Sequence, residues 1–291
     1  LENIHTWLST PSFFEFSLFL ISIVAGIFGA VLGLGGGIVI VPALTLLFGV
    51  NIRYAIGASI VSVIATSSGA AAAYVRDHIT NIRVAMLLEI ATTIGALAGA
   101  VLAPYVPQRI LFFLFALIML FSAGAMFRKR GEERPLTHTD DGWANRLRLN
   151  SSYPDQALGR TVDYAVTRVP LGFTLMLGAG VISALLGVGS GSLKVPAMDS
   201  AMKLPIKVSS ATSNFMIGVT AAASAGAYYM RGEILPFLVA PVAIGVLLGS
   251  ILGARIMMKL SGGMIRKCFL AILLLVAFEM MLKAFGAGSR I

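Results

Sequence analysis

The 291-residue chain has one cysteine, Cys268, and three histidines, His5, His78 and His138. A lone cysteine excludes an intrachain disulfide and a thiolate cage, and the histidines have no metal-ligand spacing. Neither a metal nor a cofactor is therefore expected. Charge is scarce too: Asp, Glu, Lys and Arg make up 12% of the chain, and none occurs from Phe16 to Ile52. No Ser/His/Asp or Cys/His combination stands out among such residues, so the sequence does not read as an enzyme. A basic n-region is missing before the first apolar run, so that run is expected to stay in the protein.

What is present is apolar surface. Hydrophobic residues make up 57% of the sequence, more than one soluble core can hide. Eight apolar segments of spanning length or longer follow one another, near Phe13 to Phe48, Ile52 to Val75, Ile82 to Val106, Ile110 to Phe127, Leu171 to Met202, Ile206 to Met230, Ile234 to Met258 and Met264 to Phe285. The formal net charge of +9 then reads as basic loops on the cytoplasmic face of a membrane protein, not as a nucleic-acid surface.

The first and fifth segments are too long for one crossing, and each carries a glycine motif. "GLGGGIVIVPAL", Gly33 to Leu44, is matched 154 residues later by "GVGSGSLKVPAM", Gly187 to Met198. "YVRDHI" (Tyr74 to Ile79) is echoed by "YMRGEI" (Tyr229 to Ile234), and "IGALAGAVLA" (Ile94 to Ala103) by "IGVLLGSILG" (Ile244 to Gly253), at offsets that slip from 155 to 150. Loop insertions would explain the slip. The chain thus reads as an internal duplication, with a membrane repeat in residues 1–127, a polar linker in 128–169 and a second repeat in 170–291. The linker holds eight basic and six acidic residues between Arg128 and Arg168.

If each motif folds a hairpin that returns to its side of entry, sixteen basic residues fall on the side of the central linker and five on the other. That is the distribution expected of a cytoplasmic linker, and single crossings separate the charges less well. An odd number of effective passes per half turns the second repeat over. The expected fold is therefore all-α: a polytopic membrane protein of two inverted repeats of four apolar segments, the first of each a broken or re-entrant helix hairpin, with both termini outside.

Glycine ends a helix because it tolerates positive φ and close backbone approach. After each break a short helix should resume, near Ile38 to Phe48 and near Ser192 to Met202, with Pro42 early in it, where a missing N–H costs little. Two such N-termini meeting in the membrane would present amides and dipole to an anion. The candidate binding residues are Gly35, Gly36, Gly37, Gly189, Ser190, Gly191, Ser192, Lys194 and Asn214. Lys194 would supply charge, though it could instead snorkel to an interface. The bland alternative for the glycines is close helix packing, as for Gly95, Gly99, Gly245, Gly249 and Gly253, which recur every four residues. Glu89 is the clearest buried acid. It could carry a coupling proton, or pair with Arg53 or Lys194. A phosphate loop fails on spacing, because Ser192 and Leu193 separate Gly191 from Lys194.

The two glycine-proline motifs, with "AIGASIVSVIATSSGA" and "SSATSNFMIGVTAAASA" after them, resemble the TauE/SafE sulfite exporter family of bacterial and archaeal permeases over nearly the whole chain except the linker. The resemblance implies export of a small sulfur-containing anion, such as sulfite, thiosulfate or a sulfonate like sulfoacetate, across the cytoplasmic inner membrane. A small anion, a coupling proton or cation and membrane lipid are the expected partners. An anion channel and a permease for non-sulfur organic anions are the alternatives. The linker is longer than the family leads one to expect.

Overall fold

The computed structural model describes residues 11–128, 141–187 and 190–284. The first half contains helix α1 (Pro11–Leu32), the short helix α2 (Gly37–Pro42), a wide π-type turn (Ala43–Leu47), α3 (Ile52–Arg76), α4 (Ile82–Leu102) and α5 (Gln108–Arg128). The linker adds a one-turn helix α6 (Gly142–Arg146) and an antiparallel hairpin of β1 (Ser151–Asp155) and β2 (Arg160–Tyr164). The second half contains α7 (Val169–Leu186), α8 (Gly191–Pro196), a π-type turn (Ala197–Ala201), α9 (Ile206–Met230), α10 (Pro236–Lys259) and α11 (Gly262–Ala284).

Among the described residues, five helices are long and apolar enough to cross a membrane: Phe14–Leu32, Ile52–Arg76, Ile82–Tyr105, Val169–Leu186 and Pro236–Lys259. With α5, α9 and α11 they make an all-α polytopic membrane protein. α9 carries Ser209, Ser210, Thr212, Ser213 and Asn214 near its start, all buried. A helix that polar is suited to the middle of a bundle rather than to lipid. Outward faces are the reverse: Phe121, Val101, Ile90 and Phe278 are each more than half exposed.

Both long segments fold back on themselves. The ring of Phe14, at the start of α1, meets that of Phe48 edge-on at 5.0 Å, so the chain has returned to where it entered. Likewise the N–H of Thr167, before α7, donates to the Met202 carbonyl at 3.1 Å, at the end of the second excursion. α1 stops at Gly33, with φ +70°, and α7 at Gly187, with φ +65°. Left-handed glycine is a common helix terminator because no Cβ resists it. Pro42 and Pro196 come last in their short helices rather than early. Each lacks the N–H that would continue the i to i−4 ladder, and the chain runs on as the wider turn. Thr45 donates its hydroxyl to the carbonyls of Val41 and Pro42 there, at 2.8 and 3.3 Å.

The repeat is exact in register at 154: α2, α3, α4 and α5 begin 154 residues before α8, α9, α10 and α11. The slipping offsets read from sequence are therefore corrected, with no net insertion to explain. Tyr74 corresponds to Tyr228, not Tyr229, since their hydroxyls donate to the equivalent carbonyls of Ala30 and Ala184 at 3.0 and 2.5 Å. Gly95 and Gly99 correspond to Gly249 and Gly253. The first pair abuts the backbone of α7 at Leu177 and Val181, and the second abuts α1 at Ile23 and Ile27. The halves thus exchange helices, α4 packing on α7 and α10 on α1.

α11 fixes where the two hairpins end. Near its start, Arg266 bonds Asp199 of the second π-type turn at 3.1 Å. Near its end, Lys283 donates to the carbonyl of Thr45 in the first. Those residues are separated by about 25 Å of helix, so the hairpins enter the bundle from opposite ends.

Candidate functional site

The tips of the hairpins meet in the middle. A Cβ on Gly37 would lie 2.8 Å from the Gly187 carbonyl oxygen, and one on Gly191 would lie 2.9 Å from the carbonyl carbon of Gly33. Each junction is closed by a serine at the same register. Ser59 donates to the Gly187 carbonyl, and Ser213 donates to that of Gly33 at 2.6 Å. A serine from the opposite half thus satisfies a carbonyl at each break, which is the condition for irregular chain inside a membrane protein.

Gly35, Gly36, Gly37, Gly191, Ser190, Ser192, Lys194 and Asn214 are all buried at or beside this junction. Gly189 lies outside the described residues, as do His5 and His138. Among the backbone amides proposed as anion donors, that of Gly36 is used: it donates to Thr66 Oγ1 at 3.0 Å. Ser190 contributes its carbonyl, which accepts from the N–H groups of Leu193 and Lys194.

The Asn214 side chain is held by backbone carbonyls. Its amide donates to the carbonyls of Ala30 and Ser210 at 2.7 and 3.1 Å, and its backbone carbonyl accepts from Ser67 at 2.6 Å. Both donors face carbonyl oxygens, which fixes the orientation, because a flipped amide would set oxygen against oxygen. Only its acceptor Oδ1 is unpartnered, and an acceptor repels an anion. Asn214 thereby joins α9 to α1.

Lys194 does not snorkel. Its residue exposure is 0%, and its Nζ lies 2.6 Å from Thr220 Oγ1 and 3.5 Å from Glu89 Oε2. Thr220 donates in turn to Glu89 Oε1 at 2.7 Å, and Thr93 donates to the same oxygen at 3.2 Å. Of the two partners considered for Glu89, the structure selects Lys194. Arg53 pairs with Glu233 instead, at 3.7 Å. The three side chains come from α4, α8 and α9, and so from both halves.

Sequence reading missed Thr220, although a signal existed. It stands 154 residues after Thr66, the hydroxyl that caps α2. At the end of the bundle where the linker packs, a second buried pair also escaped notice. Lys207, at the start of α9, bonds Asp155 of β1 at 2.7 Å. Beside it, Asn81 donates to the Leu149 carbonyl and the Tyr164 hydroxyl at 2.8 and 2.9 Å. Burial alone would raise the Asp155 carboxyl, but the hydrogen bond and charge of Lys207, with the Tyr153 hydroxyl and the Leu158 amide, hold it below the usual range. Burial pushes the Tyr164 phenol up to about 12.

Two helical hairpins that break against each other around a buried lysine, within an all-α membrane fold, define a multi-pass membrane protein of the transport class. Comparison with known proteins narrows this. The family model "Sulfite exporter TauE/SafE" matches residues 18–280, and the chain belongs to that family. It is 27% identical over 270 residues to "Probable membrane transporter protein YunE" of Bacillus subtilis (strain 168), covering 90% of this chain and 96% of that one. To "Probable membrane transporter protein YdhB" of the same organism it is 24% identical over 238 residues, covering 82% and 86%. No solved structure matches it. The protein is a multi-pass membrane transporter.

Proposed function

We propose that this transporter is a secondary carrier that exports a small sulfur-containing anion, such as sulfite, thiosulfate or a sulfonate like sulfoacetate, across a bacterial or archaeal cytoplasmic membrane. The observation that carries the reading is the full burial of the Lys194 ammonium beside the junction of the two glycine breaks. A buried cation on a helix that begins in mid-bundle is costly unless it is paired, and is retained where an anion must be bound away from water. Gly35, Gly36, Gly37, Gly189, Ser190, Gly191 and Ser192 would shape the site, and the anion would reach Lys194 when the halves part. In this reading residues 1–127 and 170–291 are inverted repeats in the membrane. Residues 128–169 are then a cytoplasmic linker, whose Leu149, Asp155 and Tyr164 meet Asn81 of the first half and Lys207 of the second. Alternating access then follows from movement of one half against the other. The sulfur anion and the outward direction rest on the family description.

The test is calorimetric binding by purified protein of sulfite, thiosulfate, sulfoacetate, taurine, sulfate and lactate, followed by flux in proteoliposomes. A sulfur-containing anion should bind best and its flux should saturate. Lys194→Met should weaken binding about 100-fold, the equivalent of one lost charge-assisted contact in a dry site. A preference for lactate would remove the sulfur-anion assignment. Flux that grows without saturating would mark a channel, and unaltered binding by Lys194→Met would remove the lysine from the site.

A further inference from the structure

We infer that Glu89 is a tethered competitor of the transported anion: it holds Lys194 while the site is empty, and the anion gains Lys194 as Glu89 takes up a proton, with Thr220 positioned between the two. The inference rests on Lys194 being the anion's charge partner.

The geometry is that of a substituted anion site. Glu89 presents the only carboxylate that meets Lys194 among the described residues, and Thr220 links them at 2.6 and 2.7 Å, closer than the direct 3.5 Å approach. With one proton on its hydroxyl, Thr220 accepts from the ammonium and donates to the carboxylate. Glu89 and Lys194 are 105 residues apart and belong to different halves. Any motion of one half against the other therefore loosens the contact, and an arriving anion can replace Glu89 at both Lys194 and Thr220.

The pair is not required by the fold. The first hairpin has Ile40 where the second has Lys194, and it closes on the same serine-to-glycine bond. Thr66, which corresponds to Thr220, there accepts from the Gly36 amide and donates to the Ser62 carbonyl at 2.9 Å. A hairpin tip closed by neutral groups shows that Lys194 and Glu89 add something other than closure.

Charge decides the coupling. Around Glu89, α7 carries no charged residue, and α9 carries only Lys207, which is held by Asp155. On α4 itself Arg83 donates to the Arg148 carbonyl, and on α5 Arg109 donates to that of Ala284. Among the described residues, one opposing charge, Lys194, faces the carboxylate. An anion placed against Lys194 beside an ionised Glu89 would set two negative charges on one positive charge in a low-dielectric interior, where repulsion is poorly screened. A proton on Glu89 removes that repulsion and makes its carboxyl a donor. The proton comes from the water that brings the anion and leaves with it on the other side, so anion and proton move together.

The experiment uses thiosulfate and methanesulfonate, whose own charges are constant between about pH 5 and about pH 8, and measures binding to purified full-length protein across that range. Wild type should lose affinity with rising pH, by up to about tenfold per unit for one linked proton. Titration in two buffers of different ionisation enthalpy should show net proton uptake. Glu89→Gln should bind with no pH dependence, and at the alkaline end at least about tenfold more tightly than wild type. Thr220→Val should weaken binding while keeping the slope. Binding by wild type without proton uptake overturns the inference whatever the variants do, and so does an unchanged slope in Glu89→Gln. If Lys194→Met still loses binding in that case, the anion site stands without the competitor. If wild type binds neither probe, or Lys194→Met binds like wild type, the underlying site fails and the inference with it.

Discussion

Replacing Gly191 by alanine tests whether the hairpin tips touch as described. A Cβ there would sit 2.5 Å from the Leu34 Cα and 2.9 Å from the Gly33 carbonyl carbon, and nearer still to that carbonyl's oxygen. Normal contact is about 3.5 Å or more, so the two breaks must separate by roughly 1 Å. The obstacles are backbone atoms that cannot rotate away, and the Gly33 carbonyl is already held by Ser213. Overpacking of this kind costs roughly 3 kcal/mol, against which alanine recovers about 1 kcal/mol of helix propensity. The net loss of about 2 kcal/mol should lower the melting temperature by roughly 4–8 °C. Gly36→Ala is the control from the same junction. Its Cβ would meet Ser62 Oγ, Thr66 Oγ1 and Val246 Cγ1, each at 3.2 Å, all side-chain atoms able to shift. That change should stay within about 1 kcal/mol. Thermal unfolding of both variants in detergent, followed by anion binding, is the assay. A Gly191→Ala protein as stable as wild type, or one less perturbed than Gly36→Ala, would refute the direct contact of the two tips.

Two further outcomes concern the framework. Asp155→Leu should destabilise by roughly 3 kcal/mol, because it leaves the buried Lys207 ammonium unpaired, and adding Lys207→Met should recover most of that loss in the same melts. The folded Asp155 is held below its unfolded value. Its contribution is therefore whole above the ordinary carboxylate range and disappears as pH falls through the folded value, so acid melts of wild type and Asp155→Asn should converge only at the lowest pH. Tyr74→Phe and Tyr228→Phe should each cost about 1 kcal/mol. Unequal losses, read by the same unfolding assay, would break the 154-residue equivalence of the two hydroxyls.

Much of the architecture was legible because its physical causes are local. An apolar run too long for one crossing must kink or fold back, glycine terminates helices, and a repeated motif implies a repeated hairpin. The register was harder. Glycines spaced every four residues look the same after a one-turn slip, so Gly95 and Gly99 could be matched to Gly245 and Gly249 when contacts match them to Gly249 and Gly253. Adjacent Tyr228 and Tyr229 hid a slip of one in the same way. Which side chain fills which role was harder still. The two carbonyls that hold the Asn214 amide, on α1 and on its own helix, leave no pattern in the surrounding residues.

The sequence by itself determined that the chain is a helical membrane protein, that two of its segments break at glycine, and that one break carries a cation the other lacks. Those properties follow from composition and from spacing along a single stretch of chain. Only the tertiary structure decided that the breaks close on each other, that Lys194 lies buried rather than at an interface, and that its partners are Glu89 and Thr220. Those contacts join residues 105 and 26 positions apart. Helix packing brings them together, and no local periodicity encodes the meeting.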